Sequence, residues 1–97
     1  MDVEVIRTGS TAMVKVAGDI DADTAPRLEE CFNQVIREGV TDLTVDPEHV
    51  SFVSSAGLTV LISAHRSVNT FQLQRGNAVV DRLIDLTGLE TLYGLRD

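Results

Sequence analysis

The spacing of apolar residues restricts this chain most, because it switches between the strand period and the helix period several times in 97 residues. "VEVIRTGSTAMVKVAG" holds two short β-like runs, Val3–Arg7 and Ala12–Ala17, on either side of Gly9-Ser10. A turn dipeptide between two such runs predicts a hairpin. In "DIDADTAPRLEECFNQVIREG", Leu28, Cys31, Phe32, Val35 and Ile36 recur at intervals of three and four, which predicts an amphipathic helix. Asp23 or Thr24 is placed to cap that helix and Pro26 fits its first turn. Glu29 and Glu30 suit its positive N-terminal end, and Gly39 its left-handed close.

"VTDLTVD" then reads as a short strand ending at Asp46-Pro47, with "PEHVSF" as a loop. Leu58, Val60, Leu61, Ile62 and Ala64 make the next helix apolar around most of its circumference, so it is expected to be central. "TFQLQ" alternates like a strand, "NAVVDRLIDLTG" reads as a last helix stopped by Gly88, and "LETLYGL" as a final short strand. The expected order is β-β-α-β-α-β-α-β over a single domain, residues 1–97, with no linker or repeat. Strands alternating with helices imply parallel neighbours, and the first hairpin supplies an antiparallel member. The expected class is therefore α/β, an open mixed β-sheet covered by α-helices.

Fifteen acidic against eight basic residues give a formal charge of −7. That balance repels nucleic acid and anionic membrane surfaces unless basic residues cluster, and Lys15 and the arginines are spread from Arg7 to Arg96. No apolar run approaches the roughly 20 residues of a membrane span, and "MDVEVIRTGS" lacks the pattern of a secretory leader. Cys31 stands alone and is expected to be a small buried hydrophobe. From these features the chain is expected to be intracellular, in the cytoplasm.

The chemistry-bearing stretch is "HVSFVSSAGLTVLISA", where a strand end meets two serines at the start of the central helix. Capping accounts for one of them, since a serine oxygen accepts from the free amides of a first helical turn. No G-x-S-x-G, S-x-x-K, H-E-x-x-H or phosphate-loop motif accompanies them, so Ser55 has no visible base or oxyanion site. His49 reads as a solvated loop residue and His65 as an edge residue of the central helix. The alternating Asp19, Asp21 and Asp23 lack the glycine and distal glutamate of a calcium loop. Neither an enzyme, a metal site nor a cofactor is expected.

Three segments, "VAGDIDADTAPRL", "LTVDPEHVSFVSSAGLTVLISA" and "VVDRLIDLTGLETLY", together resemble the STAS domain, and within it the stand-alone anti-sigma factor antagonists. The matching marks are the series Gly18 to Asp21, Asp46, and the F-x-x-S-x-G-L step from Phe52 to Leu58. The resemblance implies a mixed sheet covered by helices. It also implies a binding module that holds an anti-sigma factor with serine kinase activity while unphosphorylated, and so releases a sigma factor. Phosphorylation of a serine at the start of the second helix switches such a protein off, and a serine phosphatase resets it. By position that serine is Ser55, with Ser54 the alternative, and the implied partner-binding residues are Asp19, Asp21, Asp46, Ser54, Ser55 and Gly57. The small Ala56 and Gly57 are expected to leave Ser55 accessible.

This chain has Ser54 where the antagonists usually carry an aspartate and Ala56 where a second serine often follows, and it ends where many relatives continue into a further helix. The first departure motivates a second reading: a STAS scaffold subunit of a transporter or signalling assembly that never cycles through phosphate. A serine hydrolase is the third reading, without a motif to support it.

Overall fold

The structure is a computed structural model that describes residues 1–94. Its elements are β1 (Asp2–Thr8), β2 (Thr11–Ile20), α1 (Ala25–Arg37), β3 (Asp42–Val53), α2 (Ser55–Ser67), β4 (Thr70–Leu73), α3 (Ala78–Thr87) and a short 3-10 turn (Glu90–Tyr93). The sheet order is β1-β2-β3-β4, with β1 antiparallel to β2 and the other pairs parallel. Gly9 sits at φ 61° in the two-residue connection of the hairpin, as a primed turn demands, and β1 and β2 pair without a break from Asp2↔Ala17 to Thr8↔Thr11.

Register puts Ala12 and Val14 of β2 beside Leu43 and Val45 of β3, and these beside Phe71 and Leu73 of β4. All six are buried, in one core with Leu28 and Phe32 of α1, Val60, Leu61 and Ala64 of α2, and Val80 and Ile84 of α3. Each such large side chain contributes about 1.5–3 kcal/mol by leaving water. The opposite face of the sheet carries Lys15, Thr44, Asp46 and Gln72, exposed or half-buried. The α2 helix is buried along Gly57, Val60, Leu61 and Ala64, as expected of a central helix. No helix among the described residues is long and apolar enough to cross a membrane.

Three expectations need correction. First, "PEHVSF" is not a loop: β3 runs on to Val53 beside β2, with register shifts between Lys15 and Ala17 and between Gly18 and Asp19. Each shift inserts a residue into β3, so burial changes from every second position at Leu43, Val45 and Pro47 to every third at Val50 and Val53. Pro47 is tolerated because β4 pairs with β3 only from Asp42 to Val45. Beyond that point the Asn77 amide replaces a strand, donating to the carbonyls of Pro47, Glu48 and Val50 at 2.7, 3.2 and 2.8 Å.

Second, the final strand over "LETLYGL" is absent from its described part, Leu89–Gly94; Leu95 lies outside the described residues. Leu92 and Tyr93 are both buried, and adjacent buried side chains do not fit a strand's alternation. They fit a 3-10 turn, in which the Leu92 amide donates to the Leu89 carbonyl at 3.0 Å. Tyr93 donates its hydroxyl to Asp81 at 2.7 Å and lies under the Arg75 guanidinium, 3.8 Å from the ring centroid. Burial, reinforced by Asp81, pushes its phenol up to about 12.

Third, α1 is not capped by Asp23 or Thr24. Thr24 occupies the N-cap position without a capping bond from its side chain, and Asp21 Oδ1 accepts from the amides of Asp23 and Thr24, each at 3.0 Å.

Candidate functional site

Parallel pairing brings the ends of β2 and β3 together, with Asp19 opposite Phe52 and Ile20 opposite Val53. The chain leaves β3 at Val53 and enters α2 at Ser55, and the Ser54 amide donates to the Ile20 carbonyl at 2.8 Å, which pins the crossing point. Ser54 has extended backbone angles, φ −85° and ψ 175°, and its Oγ accepts from the Gly57 amide at 3.3 Å. This is an N-cap.

Ser55 is the first residue of the helix and is exposed. Its carbonyl accepts from Thr59 Oγ1 at 3.0 Å, while its side chain stands at the positive end of α2. The two serines are thus divided: one hydroxyl serves the fold, and the other faces solvent where the free amides of a helix start favour an anion.

Gly57 is buried, contrary to the expectation that it merely leaves space. A Cβ there would lie 2.8 Å from Ile20 Cγ2 and 3.0 Å from both the Ile20 carbonyl oxygen and Val53 Cγ1. The glycine allows α2 to start hard against the strand ends, and so supports the site from beneath instead of presenting a contact.

The acidic residues are organised from β2. Asp19 is exposed and accepts from Ser51 Oγ at 2.6 Å, a cross-strand bond that the sequence alone did not reveal, because it depends on the displaced register of β3. Asp21 accepts from the Thr24 amide, from the Asp23 amide and from Thr24 Oγ1, at 3.0, 3.0 and 3.1 Å. The bond from the Thr24 amide foremost, with the others, holds its carboxyl below the usual carboxylate range against a smaller effect of desolvation. It is a fixed anion that also shapes the turn into α1.

Phe52, half exposed at 50%, lies between Ser51 and the serine pair and adds an apolar element missing from the expected site. An aromatic ring left in water beside charged groups was not legible while this segment was read as a loop.

Asp46 is not brought to the serines. It lies mid-strand opposite Lys15, seven residues before Val53, and a strand of that length spans about 20 Å. That is beyond the Debye length of roughly 8–10 Å, so a charge on Ser55 and the Asp46 carboxylate are screened from one another. Asp46 accepts from the Glu48 amide at 3.0 Å and lines a groove on the open sheet face with Asp2, Glu4, Lys15 and His49. His49 is exposed, 3.7 Å from Glu48, and His65 packs edge-on to Phe71 with centroids 5.6 Å apart. Neither histidine approaches Ser55 through a hydrogen bond among the described contacts. Cys31 is half-buried, and burial pushes its thiol up, away from a reactive thiolate.

The family model described as "Mlab, STAS domain" matches residues 3–96. An anti-sigma-B factor antagonist of Staphylococcus epidermidis is 30% identical over 101 residues, spanning 100% of this chain and 94% of that protein. The crystal structure of an anti-sigma factor antagonist from Mycobacterium paratuberculosis superposes with a TM-score of 0.83 at 30% identity, covering 95% of this chain and 81% of that one. SpoIIAA, an anti-sigma factor antagonist, shares the fold in its unphosphorylated form: TM-score 0.79 at 18% identity, covering 94% and 84% of the two chains. With the sheet order, the buried glycine and the serine pair at the start of α2, these matches show that the chain belongs to the STAS domain family and that the relatives it resembles are anti-sigma factor antagonists.

Proposed function

We propose that this protein is an anti-sigma factor antagonist of the cytoplasm, a binding module and not an enzyme. Unphosphorylated, it docks on an anti-sigma factor with serine kinase activity and frees a sigma factor; phosphorylation of Ser55 ends the complex, and a serine phosphatase restores it. The observation that carries the reading is the division of the serine pair. Ser54 Oγ is engaged by the Gly57 amide, while Ser55 is exposed at the first position of α2. The kinase supplies ATP and the catalytic groups, which agrees with the lack of a base hydrogen-bonded to Ser55 among the described residues.

Phosphate adds a charge of about −1.5 to −2 at neutral pH. The start of α2 accommodates that charge, so the fold survives modification. A docked partner does not accommodate it equally, because the charge must be desolvated beside Asp19 and Asp21 and against whatever covers Phe52. The contact surface proposed is therefore Asp19, Asp21, Phe52, Ser54 and Ser55; Gly57 supports it from below and Asp46 lies outside it.

The test is the affinity for the cognate anti-sigma factor, measured by calorimetry for the unmodified protein and for Ser55→Asp. A loss of tenfold or more, about 1.4 kcal/mol, is expected. Unchanged binding would favour the constitutive scaffold reading instead.

A further inference from the structure

β3 departs from the register of β2 twice, and one side chain holds both departures. While β2 advances from Lys15 to Ala17, β3 advances from Asp46 to His49; while β2 advances from Gly18 to Asp19, β3 advances from Val50 to Phe52. Each step gives β3 one residue more than β2, and in the second step that residue is Ser51. The Asn77 amide donates to the carbonyls of Pro47 and Glu48, inside the first step, and of Val50, at the edge of the second. Two N–H groups serve three carbonyls, so one is shared, and Oδ1 accepts from the amides of Val79 and Val80. Every polar atom of this buried side chain thus ties the start of α3 to the displaced part of β3.

Directly beyond Val50 the strand enters the contact surface proposed above. Ser51 donates to Asp19 at 2.6 Å, Phe52 is half exposed, and the Ser54 amide donates to the Ile20 carbonyl at 2.8 Å. A phenyl ring gains by leaving water, and a strand that slips by one residue turns each side chain to the opposite face. A slip at the second step would turn Phe52 inward and take Ser51 off Asp19. The β4 side supplies no ladder against such a slip, because β4 pairs with β3 only as far as Val45. We propose that Asn77 is a positioning residue for the docking surface: by fixing the displaced register of β3 it keeps Phe52 in water and Ser51 on Asp19, beside Ser55. The docking role rests on the antagonist function proposed above, whereas the tie itself is readable without a partner.

Asn77→Ser keeps an oxygen to cap α3 and removes both amide donors. In NMR hydrogen exchange on the full chain alone, its Ser54 amide is expected to exchange at least about tenfold faster relative to the amides of the β1–β2 hairpin. A merely structural loss of stability speeds both alike, and Ile84→Val, buried on the same helix with the tie intact, supplies that control. In the wild type, where no variant has to fold, the Ser54 and Val80 amides are expected to open in one step, at lower free energy than the hairpin. Affinity for the cognate anti-sigma factor, by calorimetry, is expected to fall at least about tenfold in Asn77→Ser and to stay unchanged in Ile84→Val. Equal acceleration of Ser54 and the hairpin, an opening of Ser54 separate from Val80 or only with the hairpin, or unchanged affinity in Asn77→Ser would each overturn the proposal. A wild type that does not bind the anti-sigma factor, with the exchange pattern as expected, would instead overturn the function on which the docking role rests.

Discussion

At the start of α2, Ser54 Oγ accepts from the Gly57 amide at 3.3 Å; at the start of α3, Asn77 Oδ1 accepts from the amides of Val79 and Val80 at 2.9 and 3.2 Å. Both are N-caps of an ordinary kind. Their surroundings separate them. Asn77 is 9% exposed, and its amide group satisfies three carbonyls of β3 that have no strand beside them, so one side chain fastens α3 to the sheet. Ser54 is half-buried, makes a single capping bond and is followed by an exposed serine. The same local device is used once as an anchor, where every polar atom is consumed, and once as a mounting, where a neighbouring hydroxyl is left free. A helix start becomes available to chemistry when its cap is light and the next residue faces water.

The largest expected effect is at the anchor. Asn77→Ala removes the cap of α3 and leaves buried carbonyls of β3 unpaired, and a loss of about 2–4 kcal/mol is expected in urea unfolding. A loss below about 1 kcal/mol would mean that water or a small shift of α3 replaces the amide readily, and the contrast between the two helix starts would shrink.

Next comes the packing under the mounting. Gly57→Ala gains about 1 kcal/mol of helix propensity but drives a methyl into Ile20 and Val53, at a cost of about 1–3 kcal/mol. A net loss on the order of 1 kcal/mol is expected, with displaced Ile20 methyl resonances in NMR; a gain in stability would restore the view of Gly57 as mere clearance.

The smallest effects divide the serine pair. Ser54→Ala is expected to cost about 1 kcal/mol and Ser55→Ala no more than about 0.5 kcal/mol, by the same unfolding measurement. Equal losses would show that both hydroxyls serve the fold.

Much of this was legible in the sequence, for reasons visible in particular residues. Leu28, Phe32 and Val35 announce α1 because one buried face repeats with the helix period, and Gly9-Ser10 marks the hairpin because its backbone conformation is specific. The second half of β3 was not legible, since two register shifts replace alternation by a spacing of three between Val50 and Val53. Losing that half hid the Ser51–Asp19 bond and the exposed ring of Phe52, and made Asp46 look closer to the serines than about 20 Å. Asn77 was missed because its partners lie 27 to 30 residues away in the chain, on an edge that sequence cannot reveal as unpaired. The serine pair itself was legible, because a strand end followed by Ser-Ser and a helix already assigns one hydroxyl to the cap.

The division between Ser54 and Ser55 is tested most directly by incubating the wild type, Ser54→Ala and Ser55→Ala with the cognate anti-sigma kinase and ATP, and mapping phosphate by mass spectrometry. Phosphate on Ser55 in the wild type, retained in Ser54→Ala and absent from Ser55→Ala, is the predicted result. Phosphate on Ser54, or on neither serine while the kinase remains active on another substrate, would contradict it.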